Sequence, residues 1–212
     1  MAMKQDVILI DIPKPDIQTI NLVLVSDSRL VSHRWSEKAR QQMMDKQTGK
    51  AVKKKEPKNP EEDYKATLYQ HKDGWYGMPA TAFKGAAVNA CRYTEGITMV
   101  MARGVIFVES DGSDKDGIEL VKIEGDGPHM REDMVRVGML QSDIRHRGEW
   151  REWKTNVRVR YNANIITAEQ IMNLFSLAGL HVGIGEGRPG AQKKSMDWGM
   201  FHVATGKEAK NA

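Results

Sequence analysis

The sequence predicts an α+β fold whose packed elements follow the order β-α-β-β-α-β. Residues 153–161 alternate between apolar and mainly basic side chains, which is typical of a half-buried strand. Two segments, 78–93 and 167–179, carry apolar residues at helical spacing. The chain has 212 residues, of which 40% are apolar. This is enough for a single domain over residues 1–212 that buries one core and carries large insertions.

The first half alternates between packed elements and a polar excursion. Residues 19–26, TINLVLVS, are apolar and β-branched and predict a central strand. Nine lysines and arginines against three acids lie between residues 34 and 58, and prolines lie at positions 57 and 60. We therefore expect residues 34–77 to form a basic insertion that is partly mobile. Pro79 near the start of residues 78–93 predicts the first packed helix there.

The middle of the chain contains two apolar runs, residues 97–110 and 117–125, which predict strands joined by the turn DGSDKDG. This turn resembles a calcium loop only superficially. Ser113 and Lys115 stand where acidic ligands are needed, and no glutamate closes the loop at the required spacing. We expect neither a metal nor a cofactor.

The last third is the most regular part of the sequence. Thr167 and Gln170 form a capping box for a helix that ends near Gly179. The complete order is that of a ferredoxin-like or RRM-like domain, with an antiparallel sheet covered by both helices on one face. The open face would carry Lys154, Arg158 and Arg160.

A glycine-rich segment follows the second helix, and its Gly185, Gly187 and Gly190 match the spacing G-x-G-x-x-G. A dinucleotide site needs a strand before this motif and a helix directly after it, and the sequence predicts neither. The segment is instead predicted as a loop that approaches phosphates. Its glycines and cations are Gly183, Gly185, Gly187, Arg188, Lys193 and Lys194.

Composition restricts the cellular environment and the kinds of partner that we expect for this chain. The net charge is +4, and the clustering of basic residues favours a polyanion as partner. Cys91 is the single cysteine, which predicts a reducing, cytoplasmic location. No apolar run approaches the roughly 20 residues of a membrane span, so we expect no membrane association.

Three segments resemble the RAMP superfamily, the RNA-binding proteins of CRISPR effector complexes. GMPATAFKGAAVNACR is similar to a motif at the first helix of its backbone subunits, with Pro79, Thr81, Lys84, Gly85 and Arg92 in matching or nearly matching places. VGIGEGRPGAQKKSMDWGMFHV is similar to its glycine-rich loop, and NLVLVSDSRLVSHRWS to its first strand. Ala80 replaces a usual glycine, and Glu186 adds an acid inside the loop. The chain also resembles uncharacterised phage and prophage proteins.

The resemblance implies a RAMP-like domain in which residues 103–150 form a thumb-like β-hairpin insertion. It also implies a non-catalytic protein that binds single-stranded nucleic acid, RNA or phage DNA, and assembles side by side along the strand as a homo-oligomer or filament. Trp35, Trp75 or Tyr76 would stack on bases. The expected contacts to nucleic acid are Lys84, Arg92, Lys154, Arg158, Arg160, Gly183, Gly185, Gly187, Arg188, Lys193 and Lys194.

Two alternatives stay open at this point. Some RAMP proteins cut RNA without a metal, and His33 is the residue that would act here as general acid or base, with Arg34 or Lys38 beside it. The chain could equally be a phage structural or assembly protein whose basic patches contact another protein or packaged DNA.

Overall fold

The computed structural model describes residues 12–49, 57–137, 141–192, 195–206 and 208, and it confirms a mixed α+β fold with antiparallel sheets. The helices are α1 Glu37–Gln47, α2 Pro60–Ala66, α3 Ala80–Ala90, α4 Met99–Val105 and α5 Ala168–His181, and a 3₁₀ turn spans Cys91–Tyr93. The strands are β1 Ile17–Ser26, β2 Leu30–Ser32, β3 Tyr69–Gln70, β4 Tyr76–Pro79, β5 Ile106–Glu109, β6 Gly112–Ser113, β7 Glu119–Lys122, β8 Glu124–Gly125, β9 His129–Val137, β10 Gln141–Trp150, β11 Trp153–Asn162 and β12 Phe201–Val203.

The main sheet has the order β12-β1-β11-β5, and β8 also pairs with β11. All of these pairings are antiparallel. The predicted alternation of β11 is confirmed, because Val157 and Val159 are fully buried whereas Arg158 and Arg160 are exposed. Since side chains on a strand alternate between its two faces, burying the valines places both arginines on the opposite face.

Helices α3 and α5 cover the apolar face of this sheet. Phe83 of α3 and Phe175 of α5 are completely buried in the same hydrophobic cluster as Leu24 and Val157 of the sheet. The predicted capping box at the start of α5 is present: Thr167 Oγ1 accepts a hydrogen bond from Gln170 N, and the Gln170 side chain accepts one from Thr167 N. The two predicted helices therefore pack where the pattern of apolar residues placed them.

Two smaller sheets pack beside the main sheet, with strand orders β2-β10-β9 and β3-β4-β7-β6. Strands β9 and β10 form a long antiparallel hairpin within residues 129–150, so the hairpin occupies only part of the predicted 103–150 insertion. Near the start of the predicted insertion, residues 106–109 form β5, the edge strand of the main sheet.

One expected strand begins as a helix. Residues 97–110 were expected to be extended, but Met99–Val105 form α4. Thr98 caps this helix by accepting a hydrogen bond from Met101 N, and Ala102 and Val105 are its buried residues. Capping and a buried face at helical spacing outweigh the β-propensity of the apolar run.

The predicted basic insertion, residues 34–77, contains α1 and α2. Helix α1 begins after Ser36, whose hydroxyl accepts a hydrogen bond from Ala39 N, and it buries no residue. Helix α2 begins with Pro60 after an Asn59 cap. Residues 50–56, on which part of the expected mobility falls, lie outside the described residues.

Six charged side chains, joined by ion pairs of 3.2 Å or less, form a network between the hairpin and the glycine-rich loop. They are Arg29, Arg131 and Arg147 with Asp133, Glu149 and Glu186, and Arg151 lies further away, at 3.9 Å from Glu149. Arg147 and Glu149 are only 4% and 5% exposed. Arg147 donates from Nη1 to Asp133 and from Nη2 to Glu186, each over 3.2 Å. A buried charge that loses its partner costs about 3–5 kcal/mol, so this network fixes the loop against β10.

Candidate nucleic-acid interface

A groove of about 510 Å³ lies between the N-terminal turn of α3, the edge strand β5 and the exposed face of β11. We call it the β5 groove. Its lining includes Thr81, Lys84, Phe107, Arg158 and Arg160. Three of these residues, Lys84, Arg158 and Arg160, are cations that the sequence predicted as contacts to nucleic acid. They come from two elements that are about 70 residues apart in the sequence and that only the fold brings together.

The register of β11 determines how the two arginines enter the β5 groove. Arg160 lies opposite Phe107, and Arg158 lies opposite Glu109. The Arg160 guanidinium carbon is 5.5 Å from the centroid of the Phe107 ring. Lys84 Nζ reaches the same ring from α3 at 4.6 Å and donates a hydrogen bond to Arg103 O over 2.9 Å. Two cations therefore contact one exposed aromatic ring.

Carboxylates partly neutralise the positive charge of the β5 groove. Glu109 and Glu119 line it together with the three cations. Arg158 Nε lies 3.8 Å from Glu109 Oε2, and Arg158 Nη2 lies 3.9 Å from Asp111 Oδ1. Nη2 also donates a hydrogen bond to Ser110 O over 3.1 Å. Exposed ion pairs of this length contribute little to stability. Arg158 can therefore exchange its carboxylate partners for a phosphate at small cost.

A second, smaller cleft lies between α3 and the glycine-rich loop. We call this cleft, of about 200 Å³, the α3–loop cleft. Thr81, Gly85, Gly183, Gly185 and Arg188 are among its lining residues. Thr81 lines the β5 groove as well, so the two depressions meet at the first turn of α3.

Backbone conformation and close packing require glycine at three positions of the loop. Gly183, Gly185 and Gly187 have φ values of +64°, +77° and +69°, which favour glycine. A Cβ on Gly185 would lie 2.6 Å from Val31 O, and one on Gly187 would lie 2.6 Å from the Trp198 ring. Arg188 folds back and donates to Gly185 O over 2.9 Å. The expected phosphate contacts of these glycines would therefore be additional to a structural role.

Gly85 differs from the loop glycines. It lies within α3, and a Cβ built on it meets nothing within 4 Å. A glycine inside a helix costs about 0.5–1 kcal/mol relative to alanine. None of the described residues around it requires its small size, and it lines the α3–loop cleft. A ligand that approaches the helix backbone would explain it.

His33 pairs with the acid that interrupts the glycine-rich loop. Its Nδ1 lies 3.0 Å from Glu186 Oε2, while Arg147 holds Oε1 of the same carboxylate. The hydrogen bond with His33 and the nearby charges of His33 and Arg147 hold the pKa of Glu186 below its usual value of 4.5, against the opposing effect of burial. The departure from the resemblance at Glu186 is thus the anchor of the loop. Arg34, by contrast, is buried and pairs with Asp114 and Asp116.

Arg92, Lys154 and Gly187 are not among the residues that line the two depressions. Arg92 is exposed in the 3₁₀ turn and contacts Met99 Sδ, and Lys154 is half-buried opposite Glu124. Lys193 and Lys194 lie outside the described residues.

The aromatic residues expected to stack on bases are also elsewhere. Trp35 is 57% exposed and precedes α1. Trp75 stacks on His71, and Tyr76 packs against the core and Trp150. Sequence reasoning missed Phe107, the aromatic residue of the β5 groove. Ile106, Phe107 and Val108 are all apolar, so the sequence carries no signal that Phe107 lies on the open face; its exposure follows from the pairing of β5 with β11 at the edge of the sheet.

No protein-family model matches this chain, and no curated protein matches it. Within the described ranges, no helix is long and apolar enough to cross a membrane. Among the residues that the structure describes, no group of three or more His, Cys, Asp or Glu side chains is arranged to hold a metal ion.

Replacing Glu186 by Gln should lower the free energy of unfolding at neutral pH by about 1 kcal/mol, since a charge-assisted hydrogen bond is lost at a partly exposed site. A carboxylate whose folded pKa is depressed contributes stability above its unfolded pKa and loses it as the pH falls through the folded value. The difference between the wild type and Glu186→Gln should therefore shrink below pH 4.5. Urea unfolding at several pH values measures it.

The matched control is Glu132→Gln on the hairpin. Glu132 also pairs with a histidine, His146, but its side chain is 65% exposed. This change should alter stability by less than about 0.5 kcal/mol at every pH. A constant offset between wild type and Glu186→Gln down to acidic pH would contradict the assignment of the low pKa to Glu186.

Proposed function

We propose that this protein binds single-stranded nucleic acid without cleaving it and assembles side by side along the strand. The observation that carries the proposal is the convergence of Lys84, Arg158 and Arg160 on the β5 groove. Cations that line one open groove are the usual means of following a phosphate backbone without reading its sequence. The partner is RNA or phage DNA.

The topology supports a ferredoxin-like assignment, which we propose for the main domain. The strands β1, β5, β11 and β12 with the helices α3 and α5 give the chain order β-α-β-β-α-β, once the insertions are left aside. The strand order β12-β1-β11-β5 leaves β1 between β11 and β12, and β11 between β1 and β5, as a split β-α-β arrangement requires. A RAMP-like origin agrees with this order and with the juxtaposition of the two motif segments at the α3–loop cleft.

We infer the path of the bound nucleic-acid strand from the positions of the two depressions. Phosphates would lie along the β5 groove beside Arg158 and Arg160, pass Thr81 at the first turn of α3 and continue across Gly85 toward Arg188. Among the described residues, no side chain caps the N-terminus of α3 through a hydrogen bond. The first N–H groups of a helix lack intrahelical partners, and they add a positive partial charge at the point where the depressions meet.

Replacing Arg158 and Arg160 together by Ala should weaken binding by about 10-fold per arginine at low salt, the lower end of the range for charge-assisted contacts. The slope of log K against log salt should flatten by about 0.7 for each lost phosphate contact. Fluorescence anisotropy with a labelled single strand across a salt series measures both quantities.

The double change Arg136→Ala with Arg151→Ala removes the same charge from exposed positions outside the β5 groove. It should leave the affinity close to the wild-type value. If both double variants lose the same affinity, only the net charge matters and the β5 groove is not the binding site.

Replacing Gly85 by Ala separates binding from folding. The free energy of unfolding should rise by about 0.5–1 kcal/mol, because alanine stabilises a helix interior. Affinity for a single strand should nevertheless fall about 5-fold or more, since a methyl group that intrudes on a close contact costs roughly 1 kcal/mol. Thermal unfolding and anisotropy give the two values.

Gly104 of α4 provides the control, because a Cβ there also meets nothing within 4 Å. Gly104→Ala should stabilise the protein and leave binding unchanged. Equal affinity of Gly85→Ala and wild type would remove the α3–loop cleft from the path.

RNA cleavage by His33 is the second candidate function, and the pairing of His33 with Glu186 favours it. A carboxylate that holds one ring nitrogen leaves the other for proton transfer, as in histidine-based acid–base catalysis. Cleavage of labelled RNA that persists in chelator and disappears in His33→Ala would establish this activity. Intact RNA after prolonged incubation with the wild type would exclude it.

A further inference from the structure

Phe107 occupies an unusual position for a large aromatic residue. It lies on the edge strand β5 and is 38% exposed, whereas its neighbour Ile106 is completely buried. The strand therefore keeps its core contacts through Ile106, and packing does not require an aromatic residue at position 107. The ring points into the β5 groove.

The surroundings of the ring match the chemistry of a nucleotide. Lys84 Nζ lies 4.6 Å from the ring centroid and the Arg160 guanidinium carbon 5.5 Å from it. An aromatic ring offers a stacking surface for a base, and cations beside it offer partners for the phosphates that flank the same base. The β5 groove is an open depression of about 510 Å³.

Arg160 can serve a stacked base as well as a phosphate. Its side chain is exposed on the open face of β11. Within the described part of the chain, the cation–π contact with Phe107 is the one contact that holds its guanidinium. A cation–π contact at an exposed site is weaker than the stacking of a base on an aromatic ring. A base can thus take the place of Arg160 on the ring and leave the guanidinium free for a phosphate.

We propose that Phe107 is a stacking platform for one unpaired nucleobase, with Lys84 and Arg160 holding the adjacent phosphates. This inference rests on the proposed function and deepens it, because it names the part of the ligand that the β5 groove recognises. A base inside a duplex cannot present its face to the ring. The platform therefore selects single strands over duplexes, and it does so for any base.

The test compares an oligothymidine strand with an abasic strand of equal length, and repeats the first measurement with oligouridine. The wild type should bind the base-bearing strands more tightly than the abasic strand. Phe107→Leu should bind the base-bearing strands about 5- to 150-fold more weakly than the wild type while its affinity for the abasic strand stays the same. Phe107→Trp should retain the preference for bases, since it keeps a stacking surface.

Tyr93→Leu is the matched control, because Tyr93 is also exposed, at 53%, but stacks on His181 away from the β5 groove. It should behave like the wild type. A loss in Phe107→Leu with only thymidine or only uridine still supports the platform and identifies DNA or RNA as its ligand.

The outcomes separate this inference from the proposed function. If the wild type binds no strand at low salt, the proposed function itself fails. If it binds all strands but Phe107→Leu keeps the full preference for bases, the function stands and the platform at Phe107 is wrong. Equal weakening of Phe107→Leu toward abasic and base-bearing strands would also overturn the platform, because it would indicate a distorted groove.

Discussion

The register of β11 between β1 and β5 is the constraint on which the candidate site depends. Burial of Val157 and Val159 against α3 and α5 leaves Arg158 and Arg160 no position but the open face. The same register sets Arg160 opposite Phe107 and Arg158 opposite Glu109. A slip of one residue would bury two arginines and expose two valines, which the hydrophobic core excludes. The core therefore positions the charges of the β5 groove without touching a ligand.

The six-charge network plays the corresponding part for the glycine-rich loop. Helix α5 ends at His181, and the loop after it turns through positive φ angles at Gly183, Gly185 and Gly187. Glu186 fixes this loop by binding Arg147 and His33 through its side chain and Val31 O through its backbone N–H. The acid inside the glycine-rich loop is therefore directed toward the hairpin. The cation Arg188 remains at the α3–loop cleft.

Much of the fold was predictable from the sequence, and less of the site. Alternation in β11 and the capping box of α5 are local signals, so the strand, the helix and the exposed arginines were predicted correctly. Helix α4 was missed because its apolar run reads equally well as a strand, and Thr98 is a weak cap signal. Phe107 and the role of Glu186 could not be predicted, since each depends on a partner from a distant segment: Arg160 for the ring, Arg147 and His33 for the carboxylate. Gly85 was singled out in the sequence only by the resemblance to the RAMP motif. The structure adds that a Cβ at this position would meet no described atom within 4 Å.

Photocrosslinking of a single strand that carries iodouracil, followed by mass spectrometry of the crosslinked peptides, tests most directly whether the open sheet face is the binding surface. Crosslinks should concentrate on the β5 segment that contains Phe107 and on β11 around Arg160. Phe107→Leu should reduce them, because the stacking contact is removed. Crosslinks confined to the basic insertion at residues 34–77 and to the β9–β10 hairpin, with none on β5 or β11, would contradict a nucleic-acid path along the β5 groove.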